Sequence, residues 1–305
     1  MEFWVFTPMY NMSAWIGRTI ASLQAQRHGR FRCLIGDDRS SDDSVEAARR
    51  AADGDPRFRI VRHDRKLYHL GNVYTIFQLA QPPDEAVVVL LDGDDWLAHD
   101  RVFDRLLAHY RDPDCWMTYG SYAGLDGRRD PMCRPYPAWA VRFNAWRQVR
   151  WRASHLKTFR AALFRRIPPS YFTVTATEWR AALRRALAHG RFRQWWHWRQ
   201  IDPAALVSPC GRFVRRCADK AMTYPILELA GRHVRYVDEI LYIANFYRKP
   251  LDFGPRRVAQ HWYTRLTRDM LRHKPRLRPL DGLAPIDRND QNERKISSLA
   301  RGRPD

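Results

Sequence analysis

Residues Ala86 to Leu91 form an unbroken aliphatic run, Ala-Val-Val-Val-Leu-Leu, that stops at Asp92-Gly93-Asp94-Asp95. A run this apolar and β-branched predicts a strand covered on both faces, the setting of a parallel sheet with helices on either side. Three carboxylates within four residues at its end repel one another unless something positive lies between them. The chain therefore has to bury this strand completely and still open its C-terminal end to a polar site.

The segments around it repeat the pattern. Phe3 to Thr7 reads as a short buried strand ended by Pro8, and Ser13 is placed to cap a helix with Ile16, Ile20 and Leu23 on one face. Phe31 to Gly36 reads as a strand, Asp37 to Asp43 as a polar loop, Ser44 to Ala52 as a helix and Arg57 to Arg62 as a third strand. Asn72 to Ala80 and the segment holding Val102, Phe103, Leu106 and Leu107 read as helices, and Cys115 to Tyr119 as a strand. Alternating strands and helices predict an α/β chain with a doubly wound, Rossmann-like, mostly parallel sheet. In such sheets ligands bind beyond the carboxyl ends of the strands. Three polar clusters lie at such ends, Thr7 to Asn11, Asp37 to Asp43 and Asp92 to Asp95, so they are expected on one rim. An oxygen-only cluster of this kind suits Mg²⁺ or Mn²⁺ bridging to a diphosphate; the plainer reading is a solvated acidic turn ahead of a helix.

Other chemistries lack their fingerprints. There is no GxGxxG, GxxxxGK[ST], HExxH or GxSxG. Five cysteines without CxxC spacing suggest neither a disulfide framework nor a zinc site. No apolar run approaches the roughly 20 residues of a membrane-spanning helix, and the first strand is too short for a signal peptide, so a cytoplasmic protein is expected.

Four blocks carry a resemblance. Thr7-Pro8-Met9-Tyr10-Asn11, Thr19 to Gln26, Asp37-Asp38-Arg39-Ser40-Ser41-Asp42-Asp43-Ser44 and Leu91-Asp92-Gly93-Asp94-Asp95-Trp96-Leu97 resemble, in order and spacing, the family 2 glycosyltransferases of the GT-A fold. Downstream, Trp116 to Gly120, Ala153 to Phe159, Ala218 to Gly231 and Ile240 to Asn245 resemble one subgroup of these enzymes, so the likeness runs over residues 1–250. It implies a nucleotide-sugar donor, with a UDP-sugar favoured, a divalent metal and usually inversion at the anomeric carbon. By position, Thr7, Pro8 and Tyr10, with Asn11 beside them, would line the base, and Asp38 would accept from it. Asp94 would face the ribose and Asp95 the metal, although the motif can also be read one step earlier, as Asp92 with Asp94. Lys66, in an altered loop running to Asn72, is either a diphosphate contact or a solvated surface lysine. His155 is either a satisfied structural histidine or a contact to acceptor or phosphate. Asp219 is either a helix cap or the general base that deprotonates the acceptor hydroxyl.

The charge is uneven. Of 53 basic and 33 acidic residues, residues 1–130 hold 17 and 20, leaving the back half strongly cationic. Only six of the 53 are lysine, so coding bias is one source of the excess. Residues 170–210 read as a basic insertion in which Arg alternates with Trp179, Trp195, Trp196 and Trp198. That pattern suits an interfacial membrane helix, stacking on single-stranded nucleic acid, or plain aromatic core packing under a solvated cationic face. Residues 251–305 read as a basic C-terminal extension that frays after Pro279. A glycan or lipid-linked acceptor, with peripheral contact to an anionic membrane, fits the basic half. A nucleotidyltransferase would show a Gly-rich basic loop after the first strand, which is absent. A nucleic-acid-binding protein would leave the acidic rim unexplained, since phosphate backbones avoid carboxylates.

Overall fold

The computed structural model describes residues 1–245 and 255–283. In chain order the elements are β1 (Phe3–Met9), α1 (Ile16–Gln24), β2 (Phe31–Asp37), α2 (Ser44–Ala52), β3 (Phe58–Arg62), α3 (Tyr68–Ala80), β4 (Val87–Leu90) and β5 (Trp96–Leu97). There follow α4 (Val102–Tyr110), β6 (Met117–Ala123), α5 (Ala138–Arg142), β7 (Lys157–Arg160), α6 (Ala161–Arg165), α7 (Ala176–Ala188), α8 (Phe192–Arg199), α9 (Ala218–Ala230), β8 (Val234–Ile243) and α10 (Pro255–Arg272).

The strands form one sheet in the order β3-β2-β1-β4-β7-β6-β8-β5. The first four in that order are parallel throughout, and β6 with β8 makes a fourth parallel pairing. β7 runs antiparallel to both β4 and β6, so its first residue, Lys157, pairs with Leu90 at the far end of β4. Strand β7 thereby starts at the rim where β4 ends.

The aliphatic run is buried on both faces, as expected. Val88 and Leu90 join a core with α3, α6 and α9, while Val87 and Val89 join the opposite core with α1, α2 and α4. β1 divides the same way, Trp4 and Phe6 to one side and Phe3 and Val5 to the other.

Several expected boundaries shift for visible reasons. Ser13 does not cap α1: the helix starts at Ile16 without a side-chain cap, and the Ser13 N–H instead donates to Asp42 at 3.2 Å. α3 begins at Tyr68, four residues before Asn72, because the Asp38 carboxylate accepts from the N–H groups of Leu67 and Tyr68 and supplies the missing cap from another loop. The strand expected at Cys115 to Tyr119 runs instead from Met117 to Ala123, paired with β8.

The Trp/Arg-rich segment packs one face on the core, with Ala182, Ala186 and Trp198 buried, and leaves its basic face exposed. α7 opens with a capping box between Thr175 and Glu178. Trp198 is 1% exposed, and its carbonyl accepts from the Trp179 indole at 3.1 Å. Trp179 and Trp195 pack against the same core, so of the four tryptophans only Trp196, beside Phe192, remains prominently exposed. A membrane anchor built on all four is corrected on that ground. α10 packs on α7 and α8 and buries Leu266, Met270 and Leu271. The chain does not fray directly after Pro279, since the Leu280 N–H donates to the Leu229 carbonyl at 3.0 Å; residues 284–305 lie outside the described residues.

Candidate active site

The Asp92–Asp95 loop is clamped from two sides. The Gly93 N–H donates to the Pro8 carbonyl at 3.3 Å, and the Thr19 hydroxyl of α1 reaches the carbonyls of Gly93 and Asp95 at 3.0 and 2.7 Å. A Cβ on Gly93 would stand 2.9 Å from the Met12 sulfur and 3.2 Å from the Pro8 oxygen, so only glycine lets the loop lie this close to β1. Thr19 was legible as part of a motif but had no role in the sequence; the clamp explains it.

The three carboxylates differ. Asp92 is about a quarter exposed and lies 3.9 Å from His69 Nδ1. Asp94 is 9% exposed. Asp95 is buried and turned to β8, accepting from the Tyr242 hydroxyl and, at 2.7 Å, from the Asn245 N–H. Burial first, and then the charge of Asp92, pushes the Asp95 carboxyl up to about 7. One Asp95 oxygen is bonded to Tyr242 of β8 and the other to the Asn245 N–H beyond that strand, bonds that compete with metal ligation by Asp95. Among the described residues no three His, Cys, Asp or Glu side chains form a metal cage. The oxygen donors of this loop fit Mg²⁺ or Mn²⁺ only as a partial set, to be completed by diphosphate oxygens and water.

The other two clusters join the same rim. Asn11, at φ +52°, donates its N–H to Ser40 Oγ at 2.9 Å and accepts from the Ser41 N–H at 2.8 Å, tying β1 to the β2 loop. Tyr10 is 45% exposed, whereas Thr7 is fully buried with its hydroxyl toward Cys33. Pro8 is buried too, and its carbonyl serves the Gly93 N–H. No part of the Thr7 side chain reaches the surface. Asp38 is 4% exposed, and its carboxylate accepts from the start of α3 and pairs with Lys66 at 3.2 Å. Lys66 is no solvated lysine. Its ammonium lies over the Tyr10 ring and donates to the Asp38 carbonyl at 3.0 Å; burial lowers it, against the pull of Asp38 and Asp37.

A second group comes from the back half. His155 stacks on Tyr242 with ring centroids 4.5 Å apart, and its Nδ1 is buried without a hydrogen-bond partner among the described residues. Burial, then Lys157, lowers the imidazole to about 3, while Asp92 and Asp219 pull the other way. Lys157 is 4% exposed; burial lowers it, while Asp219 and Asp92 oppose that. No role was assigned to Lys157 from sequence, although it stood inside a matched block; a buried lysine is the signal that needed the structure. Asp219 lies in the first turn of α9, whose cap position is Cys217 at φ +57°, with no side-chain cap. The capping reading of Asp219 thus loses its geometry. Burial works to raise the Asp219 carboxyl, but Lys220 at 3.1 Å and Lys157 outweigh it and hold the group below the usual carboxylate range.

The comparisons with known proteins bear on the family and the fold. Residues 4–168 match the model of the Glycosyl transferase family 2. Among solved structures, S. aureus TarS 1-349 is similar at a TM-score of 0.51 and 16% identity, over 80% of this chain and 60% of that one. The same protein in complex with UDP-GlcNAc gives 0.52 and 13%, over 88% and 66%. Both likenesses speak to the GT-A fold. The chain spans only 37% of the longer TarS chain. No curated protein matches the sequence significantly. With more than half of its length matched by the family model, and with the acidic loop at the end of a buried parallel strand, the chain belongs to glycosyltransferase family 2.

Proposed function

We propose that this chain transfers a sugar from a nucleotide-sugar, a UDP-sugar in preference, to a hydroxyl of a glycan or lipid-linked acceptor, with inversion at the anomeric carbon. One observation carries the reading. Buried Lys157, the first residue of β7, pairs with Leu90 at the end of β4, two residues before Asp92, and its charge reaches Asp219 in the first turn of α9. This supports a reading in which a donor-side carboxylate and a base candidate from opposite halves of the chain serve one rim. The UDP-GlcNAc complex of TarS 1-349, which shares the fold, is consistent with a UDP-sugar.

On this reading Asp219 takes the proton of the acceptor hydroxyl as its oxygen attacks the anomeric carbon, and the bond to the diphosphate breaks with its electron pair. Held ionised by Lys220 and Lys157, Asp219 is ready to accept at neutral pH. Tyr10, Pro8 and Asn11 frame the nucleotide, while Asp38 positions Lys66 and the start of α3. Lys66 and Lys157 supply fixed positive charge for the diphosphate. Asp92 and Asp94 would hold Mn²⁺ or Mg²⁺, which when bound neutralises the leaving diphosphate. Asp95 anchors the loop to β8.

Peripheral contact with an anionic membrane belongs to the same proposal, now resting on Phe192 and Trp196, 67% and 52% exposed, with Arg193 and Arg199 beside them. Among the described residues no helix is long and apolar enough to cross a membrane. The test of the proposed chemistry is Asp219→Asn, which should keep donor affinity and lose transfer by about 10²–10⁴-fold. Transfer that survives the substitution removes Asp219 as the base.

A further inference from the structure

Away from the rim, α7, α10, the turns that follow them and the turn Trp146–Gln148 border a half-open cavity of about 560 Å³. Its size is that of a small-molecule site. Six cations line it, Arg147, Arg185, Arg191, Arg272, Lys274 and Arg276, with Asp269 the one carboxylate and no apolar side chain among the lining residues. None of the residues assigned to the donor or to the base borders it.

The cations fall into two sets. Arg147 is paired with buried Glu228 at 2.8 Å, Arg185 with Asp269 at 2.5 Å and Lys274 with Glu178, which fixes all three in place. Arg191, Arg272 and Arg276 have no carboxylate within ion-pair distance among the described residues; Arg272 donates to the Gln148 carbonyl at 3.2 Å. The buried Nε of Arg185 has no acceptor among the described residues either. A guanidinium cannot shed its charge to relieve repulsion, and its planar fork matches a tetrahedral oxyanion with two parallel hydrogen bonds. An all-polar wall excludes an acyl chain.

We propose that this cavity is a binding site for a phosphate ester. Arg191, Arg272 and Arg276 grip the oxyanion, and the paired Arg147, Arg185 and Lys274 form its floor. Glu228 sits nine residues beyond Asp219 on α9, about 13 Å along the helix at 1.5 Å per residue. The donor diphosphate belongs at the other end of that helix, so the phosphate held here belongs to the acceptor. That last assignment rests on the transferase reading; the anion site stands without it.

The test is calorimetric titration of the full chain with glycerol 3-phosphate at fixed ionic strength, against an Arg191→Gln, Arg276→Gln variant, with UDP titrated into both. Both arginines are exposed, so their loss leaves the fold intact. Wild type should bind the ester saturably and the variant at least about tenfold more weakly, since charge-assisted bonds to phosphate are each worth that much. UDP affinity should stay unchanged, which separates this site from the donor rim. A parallel arm co-sediments both proteins with phosphatidic acid vesicles and with neutral vesicles. Binding of the soluble ester alone identifies a water-soluble ligand, and variant-sensitive binding of phosphatidic acid alone identifies a headgroup; each supports a phosphate site. Ester binding that is equal in wild type and variant, or no saturable binding in either arm, overturns the proposal.

Discussion

Glu228→Ala should be among the most damaging single substitutions in this chain. Glu228 is fully buried and Arg147 nearly so, their side chains 0% and 3% exposed. The pair is two-pronged: Arg147 Nη2 donates to Oε2 at 2.8 Å while Nε donates to Oε1, and a further guanidinium N–H meets the Leu271 carbonyl. The Leu277 N–H also donates to Glu228 at 3.2 Å, so one carboxylate ties α9 to the segment after α10. Removing it strands a guanidinium that cannot deprotonate, at a cost of about 3–5 kcal/mol. The orphaned Leu277 N–H adds about 1 kcal/mol more. Replacing both partners, as Arg147→Met with Glu228→Leu, removes the stranded charge and should cost less than Glu228→Ala alone. Urea unfolding followed by far-UV circular dichroism reads both variants. A Glu228→Ala protein within about 1 kcal/mol of wild type, or a double variant worse than the single one, refutes the reasoning.

Other substitutions separate structure from chemistry. Because Lys220 and Lys157 hold Asp219 below its ordinary value of 3.8, the acid limb of transfer activity should lie below that value, and Lys220→Met should move it to higher pH. The sign follows from removing a cation that favours the ionised form, and a pH–rate profile checks it. Trp198→Ala should cost about 3–5 kcal/mol in thermal or urea unfolding, as for other buried tryptophans. Phe192→Ala with Trp196→Ala should leave stability nearly unchanged and lower co-sedimentation with anionic vesicles; undiminished vesicle binding rejects these two residues as the contact. Thr19→Val should lower donor affinity by loosening the acidic loop, with Asp219-dependent chemistry intact, as separate KM and kcat measurements show.

The front half was legible because each of its constraints is local. The run from Ala86 to Leu91 reads as a doubly covered strand from its own composition, and three carboxylates directly after it mark a candidate site without any distant partner. Long-range bonds escaped the sequence. Asp38 ends its reach on the α3 backbone, Asp95 on Tyr242, about 150 positions away, and Thr19 on the loop at Gly93. Nothing in their local spacing announces such partners. Trp198 misled for a related reason: an Arg/Trp alternation looks the same whether its rings face lipid or a core, and only the packing of α7, α8 and α10 decides. Lys157 stood in plain view within a matched block, yet its burial beside two distant carboxylates is a tertiary fact.

The central claim is that the rim holding Asp92, Asp94, Lys66 and Lys157 binds a nucleotide-sugar together with a divalent cation. A calorimetric panel of UDP-, GDP-, dTDP- and CMP-sugars, each with Mn²⁺ and again with EDTA, measures this directly. Saturable binding of a UDP-sugar that weakens sharply in EDTA, and in Asp92→Asn with Mn²⁺ present, is the predicted result. No binding of any nucleotide-sugar, or binding equally tight in EDTA and in Asp92→Asn, would contradict it.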